Sequence, residues 1–289
     1  MMRMSGQDAR AIGAQIRMRL PQLTPLELRV VDAITSRTNL TEETSLKEIA
    51  TGSSVSEAMI VKIAKKLGFS GFRELRGGLV EYKQSDAANL YSEISPDDSS
   101  ANIIQKVFRT SMQALEETIA ILDIDAFDRA ADIMHRAHHR DFYGIGGSAQ
   151  IARDVAHKFL RIGMRTSIYD DAHMMMMSAS LLKPDDAVMV FSHSGTTTAV
   201  LEPLKLARKL GARTIAVTNY SESPIAKAAD VVLCSTAQGS PLLGENAAAR
   251  IAQLNILDAL FVAIAQRDFK TAEVNLSKTM NAVSAKRER

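Results

Sequence analysis

Residues 187–209 read Ala-Val-Met-Val-Phe-Ser-His-Ser-Gly-Thr-Thr-Thr-Ala-Val-Leu-Glu-Pro-Leu-Lys-Leu-Ala-Arg-Lys. A short apolar run, a hydroxyl-rich turn around Gly195 and then apolar residues at helical spacing spell strand, loop, helix. The same order precedes it: an apolar strand at 141–145, the turn Gly144-Ile145-Gly146-Gly147-Ser148, and a helix over 149–160. Further short apolar strands fall at 165–168, 214–218 and 231–234, with helices between them and a last long helix at about 246–266. Strands that alternate with helices, and that are apolar almost throughout, predict a parallel sheet covered on both faces. The α/β core is expected over about 125–268, in a rear domain of 101–289.

With 289 residues, 46% apolar and 24% charged, the chain has enough apolar surface to bury real cores, which excludes a disordered or disulfide-scaffold protein. No uncharged apolar run approaches the ~20 residues of a membrane span. Residues 1–6 carry no apolar leader segment, and one cysteine, Cys234, suits a reducing compartment. A cytoplasmic protein with no membrane partner is therefore expected. Charge is unevenly placed: residues 1–84 hold 13 Lys/Arg against 9 Asp/Glu, and the remainder 22 against 24. A basic front on a slightly acidic body points toward nucleic acid.

The front, residues 1–82, reads as short helices, one of them opened by Thr24-Pro25 as N-cap and first helical residue. Residues 46–65 fit a helix-turn-helix. Leu46-Lys47-Glu48-Ile49-Ala50 begins the first helix, with a small residue where the helices approach, and Thr51-Gly52-Ser53-Ser54 turns the chain. Ser54 stands where glycine is usual. Ser56 caps a second helix whose Ile60 and Ile63 face inward. Such a helix sets its amino end against base edges in the major groove, which makes Ser56, Glu57, Ala58, Met59 and Lys62 the candidate readers. Lys65, Lys66, Arg73 and Arg76 are candidate phosphate contacts, which position without specifying. Polar, turn-forming residues at 83–100 read as a linker, and 101–123 as an apolar-faced helix that opens the rear domain.

The two glycine- and hydroxyl-bearing loops lie at carboxyl ends of parallel strands, where open α/β sheets bind ligands. Helix N-termini offer free N–H groups and serine and threonine add neutral donors, a set suited to a monophosphate. Gly144-Ile145-Gly146-Gly147 does not complete a dinucleotide fingerprint, and the His135, His138, His139 cluster is too small for a metal site. Neither cofactor nor metal is expected. Glu245, His173, His193 and Asp171 are the candidate bases for proton transfer, and none has a partner at acid–base spacing. Glu245 and Arg250 are candidates for sugar hydroxyls, and His173 for the same pocket. The methionines at 174–177 read as helix packing. Pro203, inside the helix after the second loop, removes a backbone hydrogen bond there.

Ser192-His193-Ser194-Gly195-Thr196-Thr197 resembles the Ser-x-Ser-Gly-x-Thr loop of SIS (sugar isomerase) domains, and Gly146-Gly147-Ser148 resembles their first loop. Val55-Ser56-Glu57-Ala58-Met59-Ile60-Val61-Lys62 and Lys66-Leu67-Gly68-Phe69-Ser70-Gly71-Phe72 resemble the N-terminal domain of the RpiR family of bacterial transcriptional regulators. That family joins a helix-turn-helix to an SIS domain in this order, so the resemblance covers nearly the whole chain. It implies a multidomain fold, all-α at the front and α/β at the rear. It implies that Ser148, Ser192, Ser194 and Thr197 hold a phosphate, with Gly147, His193 and Gly195 beside them. Gly147 departs from the pattern, standing where enzyme members often carry a hydroxyl, and Thr196 stands where some carry glutamate. The expected function is regulation, as a repressor of ribose or allose phosphate genes that binds palindromic operator DNA as a homodimer or homotetramer under control of a phosphosugar. The competing expectation is a sugar-phosphate isomerase with an accessory DNA-binding domain.

Overall fold

A computed structural model describes residues 9–37, 39–84, 94–237 and 246–284. The chain forms two compact units, one of Met1–Ile121 with Thr236–Ala249 and one of Leu122–Ser235 with Arg250–Arg289.

The front unit is helical: α1 (Ala9–Arg19), α2 (Pro25–Thr35), α3 (Leu46–Gly52), α4 (Glu57–Lys66), α5 (Phe72–Gln84) and α6 (Ser100–Ile121). The starts of α2, α3 and α4 have a local cause. Thr24 and Glu27 exchange side-chain and backbone bonds in a capping box, with Pro25 at the first position. Ser45 and Ser56 cap α3 and α4 by accepting from the N–H groups of Glu48 and Met59. Ile12, Ile34, Ile49, Ile60, Ile63, Leu67 and Leu75 form one core, with Ala50 buried where α3 meets α4. In the turn between them, Ser54 holds φ +54°, the single positive φ at a non-glycine among the described residues.

Sequence reading gave residues 101–123 to the rear domain. The structure instead packs α6 against α1 within the front unit. The reason lies in the buried face of α6, which is polar (Thr110, Gln113, Glu117, Thr118) and is matched by Arg17 and Tyr82 of the front helices.

The rear unit holds α7 (Ile124–Arg136), β1 (Arg140–Gly144), α8 (Gly147–Arg161), β2 (Ser167–Tyr169), α9 (Ala172–Ala179), β3 (Ala187–Phe191), α10 (Thr198–Lys209), β4 (Arg213–Thr218), α11 (Pro224–Ala228), β5 (Val231–Cys234), α12 (Asn246–Arg267) and α13 (Phe269–Ser284). The five strands are all parallel, in the order β2-β1-β3-β4-β5. Alternate residues of a strand face opposite sides. Thus Phe142 and Met189 join a core with α7, α8, α12 and α13, while Tyr143, Val188 and Val190 join one with α9, α10 and α11.

Several details depart from expectation. The chain continues past the final predicted helix into α13, anchored to the end of α8 by the Asn275 amide on the Ile162 carbonyl (3.0 Å). Of the methionines at 174–177 only Met175 is buried; Met174, Met176 and Met177 are exposed. In composition α12 is apolar enough to cross a membrane, yet Ile256, Leu257, Leu260 and Ile264 bury its inner face on the sheet. α10 runs unbroken through Pro203, which is buried.

Left-handed backbone costs an L-residue roughly 1–2 kcal/mol. Ser54→Gly is therefore expected to raise the stability of the front unit by up to about 1 kcal/mol, the gain reduced by the added freedom of the unfolded chain. Urea unfolding of the two proteins measures it.

Candidate functional site

Gly144 lies beside Phe191 in the ladder between β1 and β3. The loops that follow these strands leave the sheet at the same height, on either side of the point where strand order reverses. That is the crevice in which doubly wound sheets bind ligands. Gly144 permits close passage to α8, since a Cβ there would sit 2.9 Å from the Ser148 carbonyl. Gly146, at φ +60°, is the N-cap of α8.

Around the second loop the hydroxyls are partly committed. Ser192, buried, accepts from the Gly195 N–H (3.1 Å) and lies 3.2 Å from the Thr197 hydroxyl. Ser194 accepts from the N–H (3.3 Å) and hydroxyl (3.0 Å) of Thr196, so its own proton is left to donate elsewhere. Gly195 holds φ +64°, and a Cβ there would fall 2.1 Å from Ser223 Oγ. Ser223, Thr218 and Asn219 thus underlie the loop: the His193 carbonyl accepts from the Asn219 N–H (3.1 Å) and the Thr218 hydroxyl (3.2 Å). Sequence reading missed these three, because their role is contact from β4 and α11 rather than a motif.

The caps distinguish this pair of helices. Thr24, Ser45, Ser56, Asp123, Asp171 and Ser223 each close a helix start with a side-chain bond. Gly146 and Thr197 do not. The first turns of α8 and α10 therefore present N–H groups and positive dipole ends with no side-chain acceptor.

Arg250 is exposed, its Nη2 3.6 Å from where a Gly147 side chain would begin, so it stands beside the first loop. His193 meets Tyr220 edge to face, centroids 6.0 Å apart. His173 is exposed in the first turn of α9, after edge strand β2, and Glu245 lies outside the described residues. Asp171 is consumed as the α9 cap, accepting from the N–H groups of His173 and Met174 (both 3.0 Å). α9 is tied down from below: buried Asp141 accepts from the Ser178 and Tyr143 hydroxyls and pairs with His139. Burial, then the Asp141 charge, pushes the Tyr143 phenol well above its ordinary value.

At the front, α4 presents Ser56, Glu57 and Ala58 at its exposed amino end, and Ala58, Lys62 and Lys65 on one stripe. Among the described residues no acid pairs with Lys62, Lys65 or Arg73. Three expected contacts are qualified by their surroundings. Half-exposed Lys66 is bound to both oxygens of buried Glu27 (2.7 Å each), so its charge is already paired within the domain. Met59 packs half-buried against the core and does not share the outward face of its neighbours. Arg76 is likewise engaged, with the Thr44 carbonyl (2.9 Å) and Glu42 (3.7 Å).

Comparison with known proteins agrees with both halves. The helix-turn-helix domain of the rpiR family matches residues 11–86, and the SIS domain matches residues 133–263. The HTH-type transcriptional regulator RpiR of Escherichia coli (strain K12) is 46% identical over 264 residues, 91% of this chain and 89% of that protein. The chain belongs to the RpiR family. It is thus a helix-turn-helix transcriptional regulator carrying an SIS domain. A second relative, an HTH-type transcriptional regulator of Caldanaerobacter subterraneus subsp. tengcongensis, is 32% identical over 95% of this chain and 97% of its own length. Among solved structures, the Vibrio vulnificus NanR protein, complexed with ManNAc-6P, superposes with TM-score 0.62 and 22% identity over 96% of this chain and all of that one. The sugar isomerase domain of an RpiR transcription factor from Sphaerobacter thermophilus superposes with TM-score 0.57 and 24% identity, over 61% of this chain and 97% of that one.

The two lysines separate by experiment. Lys65→Ala is expected to weaken DNA binding uniformly across sequences and lower the salt slope by ~0.9. Lys66→Ala is expected to leave that slope unchanged and cost about 2 kcal/mol of stability, because a buried carboxylate loses its partner. Anisotropy titrations at several salt concentrations and urea unfolding measure the two effects. The pair also sets an acid limit. The Lys66 ammonium, then the Thr24 N–H, hold the Glu27 carboxyl below its usual 4.5. The stabilisation is full above that value and is lost as pH falls through the lower folded one. Glu27→Gln should flatten this acid-side fall in stability.

Proposed function

We propose that this regulator is a cytoplasmic repressor of sugar-phosphate genes, ribose or allose, whose hold on a palindromic operator is set by a phosphosugar at the carboxyl ends of β1 and β3. The observation that carries this is the pair of helix starts at the switch point, α8 and α10, both without a side-chain cap and both fronted by hydroxyls. A phosphate between them accepts from first-turn N–H groups and from Ser148, Ser194 and Thr197, with Ser192 and Gly195 shaping the loop and Arg250 supplying the full positive charge. His193, His173 and Glu245 are assigned to the sugar side. ManNAc-6P is the ligand in the Vibrio vulnificus NanR complex, and it supports this ligand class.

Binding proceeds without turnover. Moving a proton between adjacent sugar carbons needs a base in reach of the substrate. Of the described candidates, Asp171 is already committed as a cap, His173 is exposed on the first turn of α9, and His193 lies in the second loop against Tyr220. At the operator, Ser56, Glu57, Ala58 and Lys62 read base edges, while Lys65 and Arg73 contact phosphates. A symmetric dimer matches a palindromic site. The phosphosugar acts by binding one dimer arrangement better than another, and a coupling of ~1–3 kcal/mol changes operator affinity about 5–150-fold.

Anisotropy on the upstream DNA at fixed salt tests this with ribose 5-phosphate, allose 6-phosphate, N-acetylmuramic acid 6-phosphate and free ribose. One phosphosugar should shift affinity several-fold while free ribose does not. Ser148→Ala with Ser194→Ala should abolish the shift and leave ligand-free DNA affinity intact; an equal response in the variant overturns the phosphate assignment. Turnover of a phosphosugar would replace this reading by the isomerase one.

A further inference from the structure

Helix α6 is built inside out. Its buried residues are Thr110, Gln113, Ala114, Glu117 and Thr118, and Glu117, at 0% exposure, is held by the Tyr82 hydroxyl (2.7 Å), the Gln113 amide (2.9 Å) and the Arg17 guanidinium. Its large apolar residues face outward: Ile104, Phe108, Met112 and Ile119 are exposed, Phe108 by 68% and Ile119 by 70%. A helix whose outer face met water would show the reverse.

The outward residues also keep a register. Gln105, Phe108, Met112, Leu115 and Ile119 follow steps of three and four, the a/d pattern of a two-helix seam. From Ile104 to Ile119 the stripe is ~22 Å long at 1.5 Å per residue. We propose that the α6 seam is covered by the same helix of a second copy of the chain, running antiparallel. The charges flanking the seam select that direction. Arg109 and Glu116 fall at the positions beside the d residues, while Ser111 and Thr118 fall on the other side. Parallel helices would set Arg109 and Glu116 against the neutral side of the partner helix. Antiparallel helices set like positions together. With Met112 on Leu115 of the second copy, and Phe108 on its Ile119, Arg109 of each copy meets Glu116 of the other. One two-fold axis forms both pairs, as a self-complementary interface requires. Glu116 also meets Arg10 of α1 at 2.6 Å, so the new pair extends a charge already held in place. This rests on the dimeric reading above and adds to it the surface and its direction. Because α6 packs on α1 of the DNA-reading unit, the pairing brings two readers into one particle.

Light-scattering mass of the full chain tests the surface. Phe108→Glu with Ile119→Glu is expected to halve the mass of the native assembly while far-UV circular dichroism stays unchanged, since both residues are exposed. An unchanged mass, or a monomeric native protein, overturns the proposal. Direction is read by cysteines in a Cys234→Ser background. Phe108→Cys alone and Ile119→Cys alone should not cross-link under mild oxidation, and a mixture of the two should give a covalent dimer. Cross-linking of either single variant, or none in the mixture, overturns the antiparallel geometry. Neither readout involves a phosphosugar, so a missing ligand response with the expected masses would count against the functional reading alone.

Discussion

The register of β1 against β3 sets Gly144 level with Phe191, and the crevice at the carboxyl ends of the strands depends on that alignment. Parallel ladders carry both strands to one height, and the reversal of strand order then separates the helices that follow, opening a crevice between two N-termini. The glycines serve this geometry. Gly144 lets β1 pass close to α8, and Gly195 turns the second loop against Ser223, which in turn caps α11. Leaving these two helix starts without side-chain caps costs local stability, a few tenths of a kcal/mol where the cap is Gly146 and about 1 kcal/mol at Thr197, whereas Thr24, Ser45, Ser56, Asp123, Asp171 and Ser223 cap theirs. The first turns of α8 and α10 are left without a side-chain acceptor.

The front unit pairs some of its cations internally and leaves others facing outward. Lys66 is spent on a buried glutamate and Arg76 on a carbonyl, while Lys62, Lys65 and Arg73 have no acid partner among the described residues. A count of basic residues makes no such division. Ion pairing across 39 positions, from Glu27 to Lys66, exists only after α2 and α4 pack. α6 adds a second division: its polar face is used inside the unit around Glu117, which leaves the apolar face without cover.

Much was legible in the residues themselves. Strand, loop and helix followed from apolar runs, glycines and hydroxyls, which act within a few positions. The helix-turn-helix was legible from Ala50, Val55 and Ser56 for the same reason, and the resemblance to RpiR and SIS proteins, carried by those motifs, agrees with the family match over both domains. Tertiary structure alone decided the rest. It buried Met175 and left its neighbours exposed, turned the polar face of α6 inward, paired Lys66 with buried Glu27 and set Arg250 beside Gly147. Local pattern determines which elements form, because capping, turns and periodicity are short-range. Which side chains meet across a hundred positions depends on how those elements pack, and the sequence states that only through the fold.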